Sequence, residues 1–281
     1  MDIPEYVPGH GLLVDRIVVV TAAAGAGIGY AVAKKAVEEG ATVVISDVHE
    51  RRLGEAADLL AEMVGIRPLT MVCDVRDEAQ VQALLDAALA EHGRIDVMVN
   101  NAGLGGDTPL IEMTDEEWDR VLDVTLTGSM RCTRASMRIM GVQGHGVIVN
   151  NASVLGWRAQ AGQSHYAAAK AGGMALTRCA AIEGVESGVR VNCVAPSFAT
   201  HPFLARTTSE ELLAELADGE AYGRGAEPWE VANVVVFLAS DYSSYMTGEV
   251  VSVSSQRACL RPGPSTPSML NHQPSHLSFR R

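Results

Sequence analysis

Short runs of consecutive apolar residues, many of them β-branched, alternate along the chain with longer segments whose apolar positions recur at helical spacing. Residues 17–20, 42–46, 69–73, 97–100, 147–149, 190–194 and 249–253 read as strands. Between them, helical periodicity covers about 30–39, 50–64, 78–92, 115–140, 166–183 and 229–240. The strand runs show no polar alternation, so both faces of each strand are buried, as in a parallel sheet. Strands alternating with helices, joined by right-handed crossovers, predict one α/β domain: a doubly wound parallel sheet of about seven strands with helices on both faces. No fixed repeat length accompanies the alternation, which sets a solenoid aside.

Composition narrows the setting. With 281 residues and 47% hydrophobic content, the chain can bury one large core. Net charge is −12, and the last 25 residues hold four Arg and no acid, leaving about −16 on residues 1–256. A surface so acidic repels nucleic acid and anionic membranes, so neither is expected as a partner. Segment 257–281 also holds four of the 11 Pro and is expected to be disordered, apart from the domain spanning 1–256. The five cysteines are scattered, odd in number and without metal-ligand spacing, and no metal is expected. Free thiols suit a reducing cytosol. Asp2 and Glu5 stand where a signal peptide would carry positive charge, and the uncharged stretch 17–33 is too short and glycine-rich to span a bilayer. A soluble cytoplasmic protein is expected.

The first strand runs into a turn containing Gly25, Gly27 and Gly29, with a helix opening after Ile28. Strand, glycine turn and helix N-terminus together form a pyrophosphate site, since backbone N–H groups and the helix dipole both favour an anion. That makes the fold Rossmann-type. The second strand ends at Asp47, where a carboxylate can accept from the two hydroxyls of an adenosine ribose and would repel a 2′-phosphate. NAD is therefore favoured over NADP, although Arg51 and Arg52 lie close by in sequence. Asp47 is alternatively an N-cap for the next helix. Asp74 and Val75 follow the third strand; Asp74 can contact adenine or cap the helix from about residue 78. Asn101, Ala102 and Gly103 follow the fourth strand, at the sheet end where ligands bind.

Catalytic chemistry concentrates in residues 147–170. Ser153 lies just past the fifth strand, and Tyr166 and Lys170 are i and i+4 on one helical face. A phenol is a poor acid or base at neutral pH, and a neighbouring ammonium favours the phenolate. A serine hydroxyl facing the pair can hold a carbonyl or alcohol oxygen while the tyrosine moves a proton. A serine hydrolase built on Ser153 and His165 is rejected, because no Gly-x-Ser-x-Gly turn surrounds Ser153. His165 reads as a helix-start or pocket-wall residue.

The order and spacing of these motifs, with Arg190-Val191-Asn192, Pro196 and Thr247-Gly248, resemble the short-chain dehydrogenase/reductase family over residues 12–256. The look is similar to actinobacterial members acting in sterol or acyl-CoA catabolism. The resemblance implies an oxidoreductase in which Tyr166 is general acid/base and Ser153 orients the substrate oxygen. Lys170 holds the nicotinamide ribose and favours the phenolate. Four departures stand out. Ala22 replaces the family's glycine and the turn is one residue longer. Thr125 occupies the position of an Asn that holds a relay water, implying a slower or rerouted proton relay. Pro196 is followed by Ser197, with Thr200 and His201 sharing the place of a carboxamide-binding Thr. Ser254-Ser255-Gln256 replaces a terminal Asp-Gly-Gly.

The expected substrate is a hydrophobic secondary alcohol or ketone, steroid-like or an acyl-CoA compound. Residues 104–106, Val154, Leu155, Trp157 and a lid over 197–222 would form a largely apolar wall, with Arg158 near its mouth. The resemblance also implies a homotetramer built on the helices near 115–140 and 166–183. A catalytically idle dinucleotide-binding sensor or scaffold is the alternative.

Overall fold

The computed structural model describes residues 1–200 and 210–255. The strands are β1 (Ile17–Val20), β2 (Thr42–Asp47), β3 (Leu69–Val72), β4 (Val97–Asn100), β5 (Gly146–Asn151), β6 (Val189–Pro196) and β7 (Val250–Val253). They form one seven-stranded sheet in the order β3-β2-β1-β4-β5-β6-β7. Every pairing is parallel. The helices are α1 (Ile28–Glu38), α2 (Glu50–Val64), α3 (Glu78–His92), α4 (Asp115–Leu122), α5 (Gly128–Gln143), α6 (Ser164–Gly184), α7 (Glu210–Asp218) and α8 (Pro228–Ala239).

Alternating side chains divide the core between the two sheet faces. Val18 and Val20 join α1, α2 and α8 in one cluster, whereas Val19 joins α3, α5 and α6 in the other. Both faces of β1 are thus covered by helices, as its unbroken apolar run requires. Strand order reverses at β1, whose neighbours are β2 and β4, and the crevice beyond their C-terminal ends is where doubly wound sheets bind ligands.

Local chemistry explains the element ends. Thr114 forms a reciprocal capping box with Glu117 at the start of α4. Asp77, rather than Asp74, caps α3 by accepting the Ala79 N–H at 2.8 Å. Asp74 is instead bound to Arg76. Asp47 does not cap α2 either: His49 occupies the N-cap position without a side-chain bond. The 115–140 helical region is interrupted by a π-helical stretch, Asp123–Thr127, between α4 and α5. π-Turns of this kind often accompany functional sites. The segment before β1 is pinned to the end of α1, since Glu39 accepts the N–H groups of His10 and Leu12 and Leu13 is buried. Within the expected lid the structure describes α7, whereas 201–209, and with them His201, lie outside the described residues, as does segment 257–281.

Candidate active site

The glycine turn leaves β1 through Thr21 and enters α1. Ala22 has φ +51°, a left-handed conformation that disfavours any residue with a Cβ. A glycine would suit this position better, which gives the sequence departure a physical cost. Gly25 has φ +91°, and a Cβ at Gly25 or at Gly27 would meet no protein atom within 4 Å. Both glycines face open space in a groove of about 550 Å³. Gly29 is constrained by the protein itself: a Cβ there would lie 2.2 Å from the Ala22 carbonyl oxygen and 2.4 Å from Asn101 Nδ2.

The groove brings together residues scattered in sequence. Its walls include Gly25, Gly27, Ile28 and Gly29 from the turn, Asp47 from β2, and Asp74 and Val75 after β3. Asn101, Ala102 and Gly103 complete it from the end of β4. Asp47 accepts the Ala24 N–H at 3.2 Å and the His49 N–H at 3.0 Å. Burial pushes its carboxyl upward, opposed by the Ala24 bond and by Arg52. Asp74 is held below the usual carboxylate range by its hydrogen bonds to Arg76. Arg76, two residues beyond Asp74, and Arg120 also line the groove and were not singled out from sequence. The i, i+2 spacing of opposite charges was a usable signal for the first; nothing local marks the second.

Asn101 serves the protein framework. Its Nδ2 donates to the carbonyls of Thr21 and Ala22, and its Oδ1 accepts from Asn151 Nδ2. Thr21 Oγ1 accepts the N–H groups of Asn101 and Ala102. The glycine turn, the β4 exit and the β5 exit are therefore tied into one rigid rim.

A second cavity of about 410 Å³ adjoins the β5–α6 connection, with Ser153 and Tyr166 both in its wall. Ser153 is buried, and its Oγ accepts the Leu155 N–H at 3.2 Å, leaving the hydroxyl proton available to another acceptor. Lys170 is also buried; its Nζ donates to the Asn151 carbonyl at 2.5 Å and lies 5.4 Å from the Tyr166 ring centre. This ammonium is shielded from water beside the phenol. Val154, Leu155 and Arg158 line the cavity as expected, but Gln160, Gln163, Glu215 and Glu220 make it more polar than the sequence suggested. Trp157 is exposed, and Leu104 belongs to the groove beside the glycine turn.

Thr125 is buried in the π-helical stretch. Its hydroxyl accepts the Leu104 N–H at 2.9 Å and donates to the Leu104 carbonyl at 3.0 Å. With its only proton committed to backbone, Thr125 acts here as a loop anchor. Pro196 ends β6, and Thr200 Oγ1 donates to the Ala226 carbonyl and Glu227. Arg190, Asn192 and Thr247 prove to be pins between β6 and the segment after α8. Among the described residues, no group of three or more His, Cys, Asp or Glu could hold a metal ion. None of the described helices is long and apolar enough to cross a membrane.

A family model described as enoyl-(acyl carrier protein) reductase matches residues 22–255. A Mycobacterium tuberculosis protein named (5R,7aS)-5-hydroxy-7a-methyl-1-oxo-2,3,5,6,7,7a-hexahydro-1H-indene-carboxyl-CoA reductase is 65% identical over 254 residues, 90% of this chain and 97% of that protein. The cis-4-hydroxycyclohexanecarboxylate dehydrogenase of Sinomonas cyclohexanicum is 44% identical over 243 residues, 85% of this chain and 95% of its own. The crystal structure of a short chain dehydrogenase from Mycobacterium smegmatis superposes with a TM-score of 0.81 at 60% identity, covering 92% of this chain and 99% of that one.

Proposed function

From the premise that the chain belongs to the short-chain dehydrogenase/reductase family, oxidoreductases acting on CH–OH and C=O groups, we propose that it oxidises or reduces a ring carbon of a cyclic carboxyl-CoA thioester with NAD(H). The observation that carries this reading is the cavity shared by Ser153 and Tyr166 with buried Lys170 beside the phenol. The named relatives act on a bicyclic carboxyl-CoA and on a hydroxycyclohexanecarboxylate, which supports a cyclic secondary alcohol or ketone bearing a carboxyl-derived group. Both are enzymes, which leaves the idle-scaffold alternative without support.

The groove suits a dinucleotide: two glycines open onto it where a Cβ would project into the open space, and Asp47 in its wall would meet the ribose. Gly25, Gly27, Ile28 and Gly29 would hold the pyrophosphate, Asp47 the adenosine ribose, and Asp74 and Val75 the adenine. Asn101, Ala102, Gly103, Pro196 and Thr200 would flank the nicotinamide half. Bound NAD(H) supplies the hydride donor or acceptor. Tyr166 then gives or takes the proton at the substrate oxygen, with the free Ser153 proton donated to that same oxygen. Lys170 has two N–H donors left beyond its bond to Asn151, enough to hold a ribose diol. Arg158 in the cavity wall offers a cation to the carboxyl-derived end. A cytosolic homotetramer is the proposed state, and light scattering behind size exclusion tests the tetramer.

The test is a thermal-shift series with NAD⁺, NADH, NADP⁺ and NADPH, followed by turnover on cis-4-hydroxycyclohexanecarboxylate and its CoA thioester. Selective stabilisation by NAD(H) with faster turnover of the thioester is expected. Selective NADP(H) binding refutes the Asp47 assignment. A free acid turned over better than its thioester refutes the CoA assignment.

A further inference from the structure

The loop from Gly103 to Gly106 crosses directly over the catalytic pair. A Cβ built at Gly103 would lie 3.4 Å from Lys170 Nζ, and one at Gly105 would lie 3.8 Å from the edge of the Tyr166 ring. The backbone here runs within one added side-chain atom of van der Waals contact with the residues proposed to move the proton. Gly105 and Gly106 have no side chains to anchor themselves, and ordering each residue costs about 1–2 kcal/mol. Something outside the loop must hold it.

Two clamps do so, from opposite ends. At the first, Thr125 Oγ1 satisfies both backbone groups of Leu104. At the second, Gln163 Nε2 donates to the Gly106 carbonyl, and the Thr108 N–H donates to the Gly162 carbonyl at 3.0 Å. The imidazole of His165 is buried directly beneath Gly106: a Cβ at Gly106 would come within 2.6 Å of His165 Nε2. His165 Nδ1 accepts the Tyr166 backbone N–H at 2.9 Å, one of the orphan donors of the first turn of α6. The same ring therefore supports the loop from below and fixes the backbone from which Tyr166 springs.

We infer that Gln163 and His165 are positioning residues for the proposed proton transfer, holding the 104–106 loop against Tyr166 so that its phenol stays aligned with Ser153. The clamp stands on geometry alone; its effect on turnover rests on the proposed function. A misplacement of about 1 Å at a reacting group costs roughly a hundredfold in rate. A partly released loop is therefore expected to show in kcat before it shows in cofactor binding, because the glycine turn and Asp47 are not part of the clamp.

The experiment compares wild type, Gln163→Ala, His165→Leu and His165→Asn. Leucine keeps apolar bulk and loses the acceptor; asparagine returns an acceptor through Oδ1. Three quantities are measured: kcat and KM with NAD⁺ on cis-4-hydroxycyclohexanecarboxylate and its CoA thioester, the NAD⁺ Kd, and amide hydrogen exchange over residues 104–106. Gln163→Ala and His165→Leu are expected to lower kcat about tenfold or more. Their NAD⁺ Kd should stay within about twofold of wild type, exchange over 104–106 should accelerate, and His165→Asn should recover most of both losses. Unchanged exchange in both variants overturns the clamp. A fall in kcat matched by an equal loss of NAD⁺ affinity also overturns it, because the residues would then support the groove as a whole. Wild type inactive on both compounds would count against the proposed substrate class, and the exchange rates would still decide the clamp.

Discussion

Replacing Gly29 with alanine places a methyl group 2.2 Å from the Ala22 carbonyl oxygen and 2.4 Å from Asn101 Nδ2. Neither contact is tolerable, and neither partner is the loose end of a flexible chain. The Asn101 amide is committed to the Thr21 and Ala22 carbonyls at 3.2 and 3.0 Å and to Asn151 through its other end. Overpacking of this kind costs about 1–3 kcal/mol. Losing two amide bonds adds about 1 kcal/mol each. Against this, alanine is better than glycine in a helix by about 1 kcal/mol. The net expectation is a destabilisation of about 2–4 kcal/mol, or roughly 4–16 °C in Tm for a domain of this size. Urea unfolding of both proteins at equal concentration measures it, with a lowered midpoint at constant slope as the signature. NAD⁺ should also stabilise the variant less than wild type, because the displaced Ala22 carbonyl belongs to the groove wall. If Gly29→Ala were as stable as wild type or more so, helix propensity alone would govern the position, and the close approach of α1 to the β4 exit would be refuted.

Two further outcomes follow from the site. Tyr166→Phe should lower kcat by about 10²–10⁴-fold while leaving the NAD⁺ Kd near wild type; retained turnover would remove the phenol from the chemistry. Asp47 should make cofactor choice pH-dependent. Burial raises its folded value above the unfolded one, so the ionised group costs stability at neutral pH, and that cost fades as pH falls through the raised value. The same protonation removes the charge that repels a 2′-phosphate, so the ratio of NADP⁺ to NAD⁺ Kd should shrink as pH falls through the raised value. In Asp47→Asn the ratio should be small and flat, and an equally steep wild-type slope in that variant would reject Asp47 as its source.

The apolar runs and glycine punctuation made the sheet, its parallel sense and most helix limits legible in the sequence. A fully buried parallel strand has no polar face, and a glycine turn between strand and helix has few alternatives. The spacing of Ser153, Tyr166 and Lys170 was legible for a similar reason, since i, i+4 on a helix is fixed by local geometry. Capping was less so. Asp47, Asp74 and Asp77 are chemically equivalent in sequence, and only the structure turns the first toward Ala24, pairs the second with Arg76 and leaves the third to cap α3.

The sequence by itself determined the fold class, the place of the glycine turn and the spacing of the proposed proton-transfer residues, because each depends on periodicity or spacing within one or two neighbouring elements. Tertiary structure alone decided what Thr125, Asn101, Gln163 and His165 do. The first three act on backbone groups that belong to a different segment, from 21 residues away for Thr125 and Leu104 to 80 for Asn101 and Thr21. His165 links its own neighbour's N–H to a glycine on another loop. Such roles have no local signature, because a hydroxyl, amide or imidazole reads alike in sequence whether it faces solvent, a substrate or the carbonyl of a distant turn. The fold commits it to one partner, and with only one or two bonds to give, that commitment excludes the others.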